Sequence, residues 1–225
     1  MQAAVNNTKI DIDTFPIGSA HFQTATIESP PGKPVYEISK RAFDLTLALL
    51  LMVVMIVPML VIVILIRMDS KGRAIYKQTR LGKGEKPFTI YKFRTMYQDA
   101  EKTGIRWAAL NDQRCTRLGK LLRHSHLDEL PQLVNIIAGQ MSFVGPRPER
   151  PEFYDIFDTY IDGFRQRTMV KPGLTGLAQV NGGYELLPEE KIVYDLYYIE
   201  NRSVAMDVKC IIKTFSVVFC GKGVR

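Results

Sequence analysis

The 225-residue chain is predicted to be mainly α with a small β-hairpin: a membrane-embedded N-terminal helix, then a cytosolic domain with amphipathic, interfacial helices. Three observations predict this. Residues Leu45 to Ile66 form a 22-residue run without a charge. Residues 74–79 and 87–93 are rich in Ile, Tyr, Phe and Thr, and LGKGEK separates them. From residue 116 onward, apolar residues recur at helical spacing.

Residues 1–35 lack sustained periodicity and end in SPPGKP, which predicts a mobile arm with an extended exit. The arm has no basic start followed by an apolar core, so it is not a signal peptide. Residues 36–68 form the membrane segment, since about 20 helical residues cross a bilayer core. Lys40 and Arg41 precede the apolar run, and Arg67, Lys71 and Arg73 follow it. Short flanks rich in Lys and Arg prefer the cytoplasm, and here both qualify. Pro58 lies deep inside, where it removes a helix hydrogen bond and favours a kink. A re-entrant helix hairpin that enters and leaves by one leaflet satisfies both facts; a simple span with a tolerated proline is the other reading.

Residues 69–225 are expected to form the membrane-surface domain. Its hairpin sets Lys77, Lys92 and Arg94 on or beside one small sheet. Leu118, Leu121 and Leu122 among Arg117, Lys120 and Arg123 predict a short amphipathic helix, and Leu130, Leu133, Val134 and Ile137 predict a second, broken at Gly139. FYDIFDTYIDGFRQRTMV is read as helical, and KPGLTGLAQVNGG as a glycine-dense loop. EEKIVYDLYYIE and MDVKCIIKTFSVVF give two further amphipathic helices.

Net charge is +7, and Arg67 to Arg123 carry fifteen Lys/Arg against five Asp/Glu, a local balance of +10. An anionic partner is implied: nucleic acid, phospholipid or a phosphorylated small molecule. Cys115, Cys210 and Cys220 are odd in number and scattered, which fits a reducing compartment rather than a disulfide framework. His124 and His126 are two apart, which suits a strand better than a helix as a metal-ligand pair.

Adjacent Asp128 and Glu129 sit between a basic run and Pro131. One reading is capping: Asp128 or Ser125 as N-cap, with Pro131 in the first turn. The other is chemistry. One carboxylate can attack an electrophile while its neighbour holds Mg²⁺, a hard cation suited to carboxylates and phosphate oxygens. In GPRPE (145–149), two prolines stiffen the loop that carries Arg147, a good fork for phosphate unless it is merely a solvated turn. KPGLTGLAQVNGG could cradle phosphate or act as a lid, but it matches neither the P-loop nor the dinucleotide glycine pattern.

The order KRAFD, the apolar segment with Pro58, YKFRTM at 91–96, LDELPQL at 127–133, MSFVGPRPE at 141–149 and KPGLTGLAQVNG at 171–182 resembles the bacterial sugar transferase family. These are the monotopic phosphoglycosyl transferases that begin capsule, exopolysaccharide and O-antigen assembly. The resemblance covers about residues 36–225. It implies transfer of a sugar-1-phosphate from a UDP-sugar to undecaprenyl phosphate, with release of UMP, at the cytoplasmic face of the bacterial inner membrane. It implies Asp128 as nucleophile, a covalent phosphosugar intermediate, and Glu129 as the Mg²⁺ ligand. Lys92, Arg94, Arg123 and Arg147 would surround the phosphates. Two positions depart from the family's habit: Val57 stands where Ser often precedes the kinking proline, and His126 where Ser commonly lies two residues before the nucleophile. Larger relatives carry extra membrane helices and a soluble domain ahead of this core, so a catalytic core form is expected.

The competing readings are a membrane-anchored basic protein that binds nucleic acid or anionic lipid without catalysis, and a structural subunit of a polysaccharide complex. No helix-turn-helix or zinc-finger spacing appears, so nucleic acid is not an expected partner. The bilayer is. The sequence leaves a homo-oligomer open.

Overall fold

The computed structural model describes residues 4–5, 8–9, 21–30, 32–102, 104, 112–182 and 186–220. Short strands β1 (Ala4–Val5) and β2 (Thr8–Lys9) pair antiparallel, and the expectation for the rest of 1–20 lies outside the described residues. Residues 21–30 are held on the domain. β3 (Phe22–Gln23) pairs in parallel with β7 (Ile161–Asp162), and Ile27 is buried in the main core.

Helix α1 (Pro34–Asp69) is 36 residues long and runs uninterrupted through Pro58. Pro34 suits the first turn, where its missing N–H costs nothing; Glu37 near the start and Arg67 near the end complement the helix dipole. At 1.5 Å per residue it is about 54 Å long. Among the described residues it is the one helix long and apolar enough to cross a membrane. Its fully buried residues fall in two groups. Asp44 and Ala48 are buried toward the main core, and Ile62 and Ile66 are buried in a second cluster with Ala74, Phe93 and Leu122. Between them Val53, Val54, Ile56 and Val57 are exposed.

Strands β4 (Ile75–Leu81) and β5 (Pro87–Phe93) form the expected antiparallel hairpin, with Tyr76 opposite Lys92. Gly84 and Glu85 take positive φ in its turn. Helix α2 (Arg117–His124) follows, and the Thr116 side chain accepts from Gly119 N at 2.9 Å. Gly119 is required by close approach: a Cβ there would lie 1.9 Å from the Thr95 carbonyl oxygen. Leu122 then packs beneath Phe93 and Ile66, each large apolar side chain contributing roughly 1.5–3 kcal/mol on burial.

A 3-10 segment (Leu127–Gln132) leads into α3 (Leu133–Ile137), which ends before Gly139 at φ 77°. Neither capping expectation holds here. His126, at φ 55°, occupies the N-terminal flank, while Ser125 Oγ donates back to Leu121 O and so closes α2. Asp128 and Glu129 therefore lie inside the turn.

Strand β6 (Ser142–Val144) precedes α4 (Pro151–Phe157) and β7; a 3-10 segment (Phe164–Met169) then leads to β8 (Gly173–Thr175), which pairs in parallel with β6. Helices α5 (Leu177–Asn181), α6 (Pro188–Asn201) and α7 (Val204–Cys220) complete the domain. The glycine-dense stretch is thus strand and helix. Gly173 is there because its backbone meets Gly145: a Cβ on it would lie 2.1 Å from Gly145 N. That contact locks the two motif loops together. On α7, Val204, Val208, Ile212 and Phe215 form an exposed apolar stripe.

Candidate active site

Four pieces of chain converge on one cavity of about 1160 Å³. β5 supplies Lys92, α2 supplies Arg123, the 3-10 turn supplies Asp128 and Glu129, and the loop after β6 supplies Arg147. The tightness of that turn sets the adjacent carboxylates side by side, both buried. Glu129 Oε1 accepts from Lys92 Nζ at 2.8 Å and from an Arg147 terminal nitrogen at 2.6 Å. Arg123 Nε donates to Thr95 Oγ1 at 2.9 Å while its side chain lines the cavity.

The two carboxylates are driven apart electrostatically. Burial pushes the Asp128 carboxyl up, to about 6, against the pull of Lys92, and Glu129 beside it adds to the rise. Burial acts upward on Glu129 as well, but Arg147 and Lys92 outweigh it and hold this group well below the usual carboxylate range. Glu129 is thereby ionised throughout. Asp128 is ionised at neutral pH, and its carboxylate makes no hydrogen bond or ion pair with another described residue. Such a group can act as a nucleophile toward an electrophile brought in by the surrounding cations.

Arg94 also lines the cavity, and its guanidinium has a second set of partners. Its guanidinium turns onto the C-terminus of α1 and donates to Lys71 O at 2.6 Å, Ser70 O at 2.7 Å and Ser70 Oγ at 3.0 Å. β5 ends at Phe93, and the side chain one residue on finds the bare carbonyls of a helix end. Pro58 lies in the exposed middle of α1, remote in sequence from any site residue.

Sequence reasoning missed the layer beneath Arg147. Arg80 donates to Pro148 O at 3.0 Å and pairs with Glu149 at 3.1 Å. Arg167, in a fully buried pair with Asp195 at 2.6 Å, donates to Arg147 O at 3.1 Å. These partners lie 68 and 20 residues from the loop in sequence, so no local pattern marks them.

Among the described residues no three His, Cys, Asp or Glu side chains gather as a metal cage. The donor set still fits Mg²⁺ in kind, because that ion usually takes one or two carboxylates and completes its shell with water and phosphate oxygens. Glu129 is kept ionised, and its Oε2 lies 3.5 Å from Arg147, a long contact.

Residues 35–221 match the family model described as "Bacterial sugar transferase". The chain belongs to the bacterial sugar transferase family. The chain is 40% identical over 208 residues to the "UDP-N-acetylgalactosamine-undecaprenyl-phosphate N-acetylgalactosaminephosphotransferase" of Aeromonas hydrophila, covering 91% of the chain and 49% of the relative. It is 36% identical over 224 residues to the "UDP-glucose:undecaprenyl-phosphate glucose-1-phosphate transferase" of Klebsiella pneumoniae, covering 93% and 48%. It is also 39% identical over 196 residues to the "Exopolysaccharide production protein PSS" of Rhizobium leguminosarum bv. phaseoli, covering 83% and 98%. The chain thus spans about half the length of the first two relatives and nearly all of the third.

Proposed function

We propose that this sugar transferase moves a sugar-1-phosphate from a UDP-sugar to undecaprenyl phosphate and releases UMP, as an early membrane step of exopolysaccharide, capsule or O-antigen synthesis. The observation that carries the reading is the buried Asp128–Glu129 pair, with Lys92, Arg123 and Arg147 lining the same cavity.

In the first half-reaction an Asp128 carboxylate oxygen attacks the β-phosphorus. The bond to the bridging oxygen breaks, UMP leaves, and an aspartyl phosphosugar remains. In the second, a phosphate oxygen of undecaprenyl phosphate attacks that phosphorus, and the Asp128 carboxylate is restored. Lys92, Arg123 and Arg147 bind and orient the phosphates, and their fixed charge is worth most where charge develops in the transition state. Mg²⁺ would be held by Glu129, where it would neutralise diphosphate charge.

The acceptor's phosphate lies at the membrane surface, so the site belongs there. Both ends of α1 dock on one domain. Arg41 donates to Ile136 O at 2.7 Å and Lys40 pairs with Asp207 at 2.7 Å near its start, while Arg94 holds Ser70 O at its end. A domain that grips both ends cannot lie on opposite sides of a bilayer. This supports a re-entrant α1 that enters and leaves by the cytoplasmic leaflet, its exposed middle in hydrocarbon and Pro58 as the bend. The apolar stripe of α7 supports an interfacial position for that helix. The basic-face binding reading is weakened, because Lys92 and Arg147 are turned inward onto Glu129.

The test is UMP release from a panel of UDP-sugars with undecaprenyl phosphate and Mg²⁺ in detergent. Release with at least one donor is expected. Silence from well-folded protein across the panel would sink the reaction class.

A further inference from the structure

Among the described residues strand β5 pairs with β4 alone, so its other edge has no strand beside it. Arg94 N donates to Ala74 O at 2.8 Å, so in this antiparallel register the even-numbered residues bond toward β4 and the odd-numbered ones present their peptide groups outward. An unpaired edge leaves buried N–H and C=O groups that need partners.

Asn135, fully buried on α3, meets that need. Its Oδ1 accepts from Tyr91 N at 3.2 Å, and its Nδ2 donates to Thr89 O at 2.7 Å and to Gln140 Oε1 at 2.8 Å. A carboxamide has the same donor and acceptor as a peptide group, so this side chain stands in for a third strand. The Asn135 main chain adds a second tie: its carbonyl accepts from Gln140 N at 3.0 Å and Met141 N at 3.3 Å, closing the turn that feeds β6.

One residue therefore joins three chain segments. β5 carries Lys92, adjacent to Tyr91; the turn before α3 carries Glu129; and β6 leads directly to Arg147. Those three side chains form the 2.6–2.8 Å cluster of the candidate active site. We propose that Asn135 is a positioning residue that sets the Lys92–Glu129–Arg147 geometry through the edge of β5. The inference rests on the proposed phosphosugar transfer for its kinetic arm alone.

The test is a double-mutant cycle on the full chain in detergent, with a donor on which the wild type is active. Asn135→Ser is expected to lower kcat about tenfold with KM within about twofold, since a displaced phosphate-facing group costs rate. In a Lys92→Gln background the same change is expected to cost less than about threefold, because residues acting through one another are not additive. An equal factor in both backgrounds overturns the proposal and leaves Asn135 a purely structural residue. The proposal is likewise overturned if Ile161→Val, a core change away from the site, loses as much kcat at a matched drop in Tm. If Asn135→Ser does not fold, Gln140→Ala removes a single partner and enters the same cycle.

Amide hydrogen exchange gives a readout independent of activity. Peptides covering 89–92 and 127–132 should lose protection together in Asn135→Ser, with β4 unchanged. Unaltered exchange in both peptides overturns the tether even if no donor is ever turned over. Wild-type inactivity with the expected loss of protection would instead count against the reaction and support the tether.

Discussion

Arg94→Met separates the two roles open to this arginine. The substitution keeps the apolar stem and removes the guanidinium, and with it the bonds to Lys71 O, Ser70 O and Ser70 Oγ. A charge-assisted hydrogen bond contributes about 1.5–3 kcal/mol. Water can reach some of the freed carbonyls at a helix end, so roughly 2–4 kcal/mol of the total is expected to be lost. For a chain of this size each kcal/mol shifts Tm by about 2–4 °C, giving a fall of roughly 5–15 °C. The assay is thermal unfolding in detergent beside donor KM at a temperature where the variant is fully folded. Stability should fall and KM should hold within about twofold. An unchanged Tm with KM raised tenfold or more would refute the helix-end role and return Arg94 to the phosphates.

Other outcomes follow from the same contacts. Arg147→Lys keeps the charge but loses the planar fork, so donor KM should rise about tenfold or more while the fold, followed by thermal unfolding, stays intact. Gly119→Ala drives a Cβ into the Thr95 carbonyl and should lower Tm sharply, because α2 has to move off β5. As pH falls through about 6, Asp128 takes up a proton and a pH–rate profile should show kcat/KM dropping about tenfold per pH unit. The sign for stability is opposite: burial disfavours the charged form, so Asp128→Asn should raise Tm at pH 7 while abolishing turnover.

The elements with strong local periodicity were legible in the sequence. The uncharged run, the hairpin and the amphipathic helix at 117–124 each carry their own signal within a few turns of chain. Asp128, Glu129, Lys92, Arg123 and Arg147 were legible as candidates because cations and paired carboxylates gather in short motifs, and the fold brings all five to one cavity. What escaped was set at a distance. The contact of Arg94 with the end of α1 leaves no local pattern, because those carbonyls lie 23–24 residues away. The start of the 3-10 turn escaped for another reason. His126 adopts a left-handed conformation that non-glycine residues take uncommonly, and Ser and Asp are the favoured N-caps, so propensity points to Ser125 or Asp128. The glycines of KPGLTG read as a glycine-dense loop, yet Gly173 serves the close crossing of β8 with Gly145.

The central claim is that Asp128 carries the phosphosugar. Intact-protein mass spectrometry of the enzyme incubated with an active UDP-sugar and Mg²⁺, without acceptor, tests it most directly. The account predicts one added phosphosugar per chain, mapped to the peptide containing Asp128, absent in Asp128→Asn and discharged by undecaprenyl phosphate. An adduct that persists in Asp128→Asn, or turnover with no adduct on any carboxylate, would contradict it.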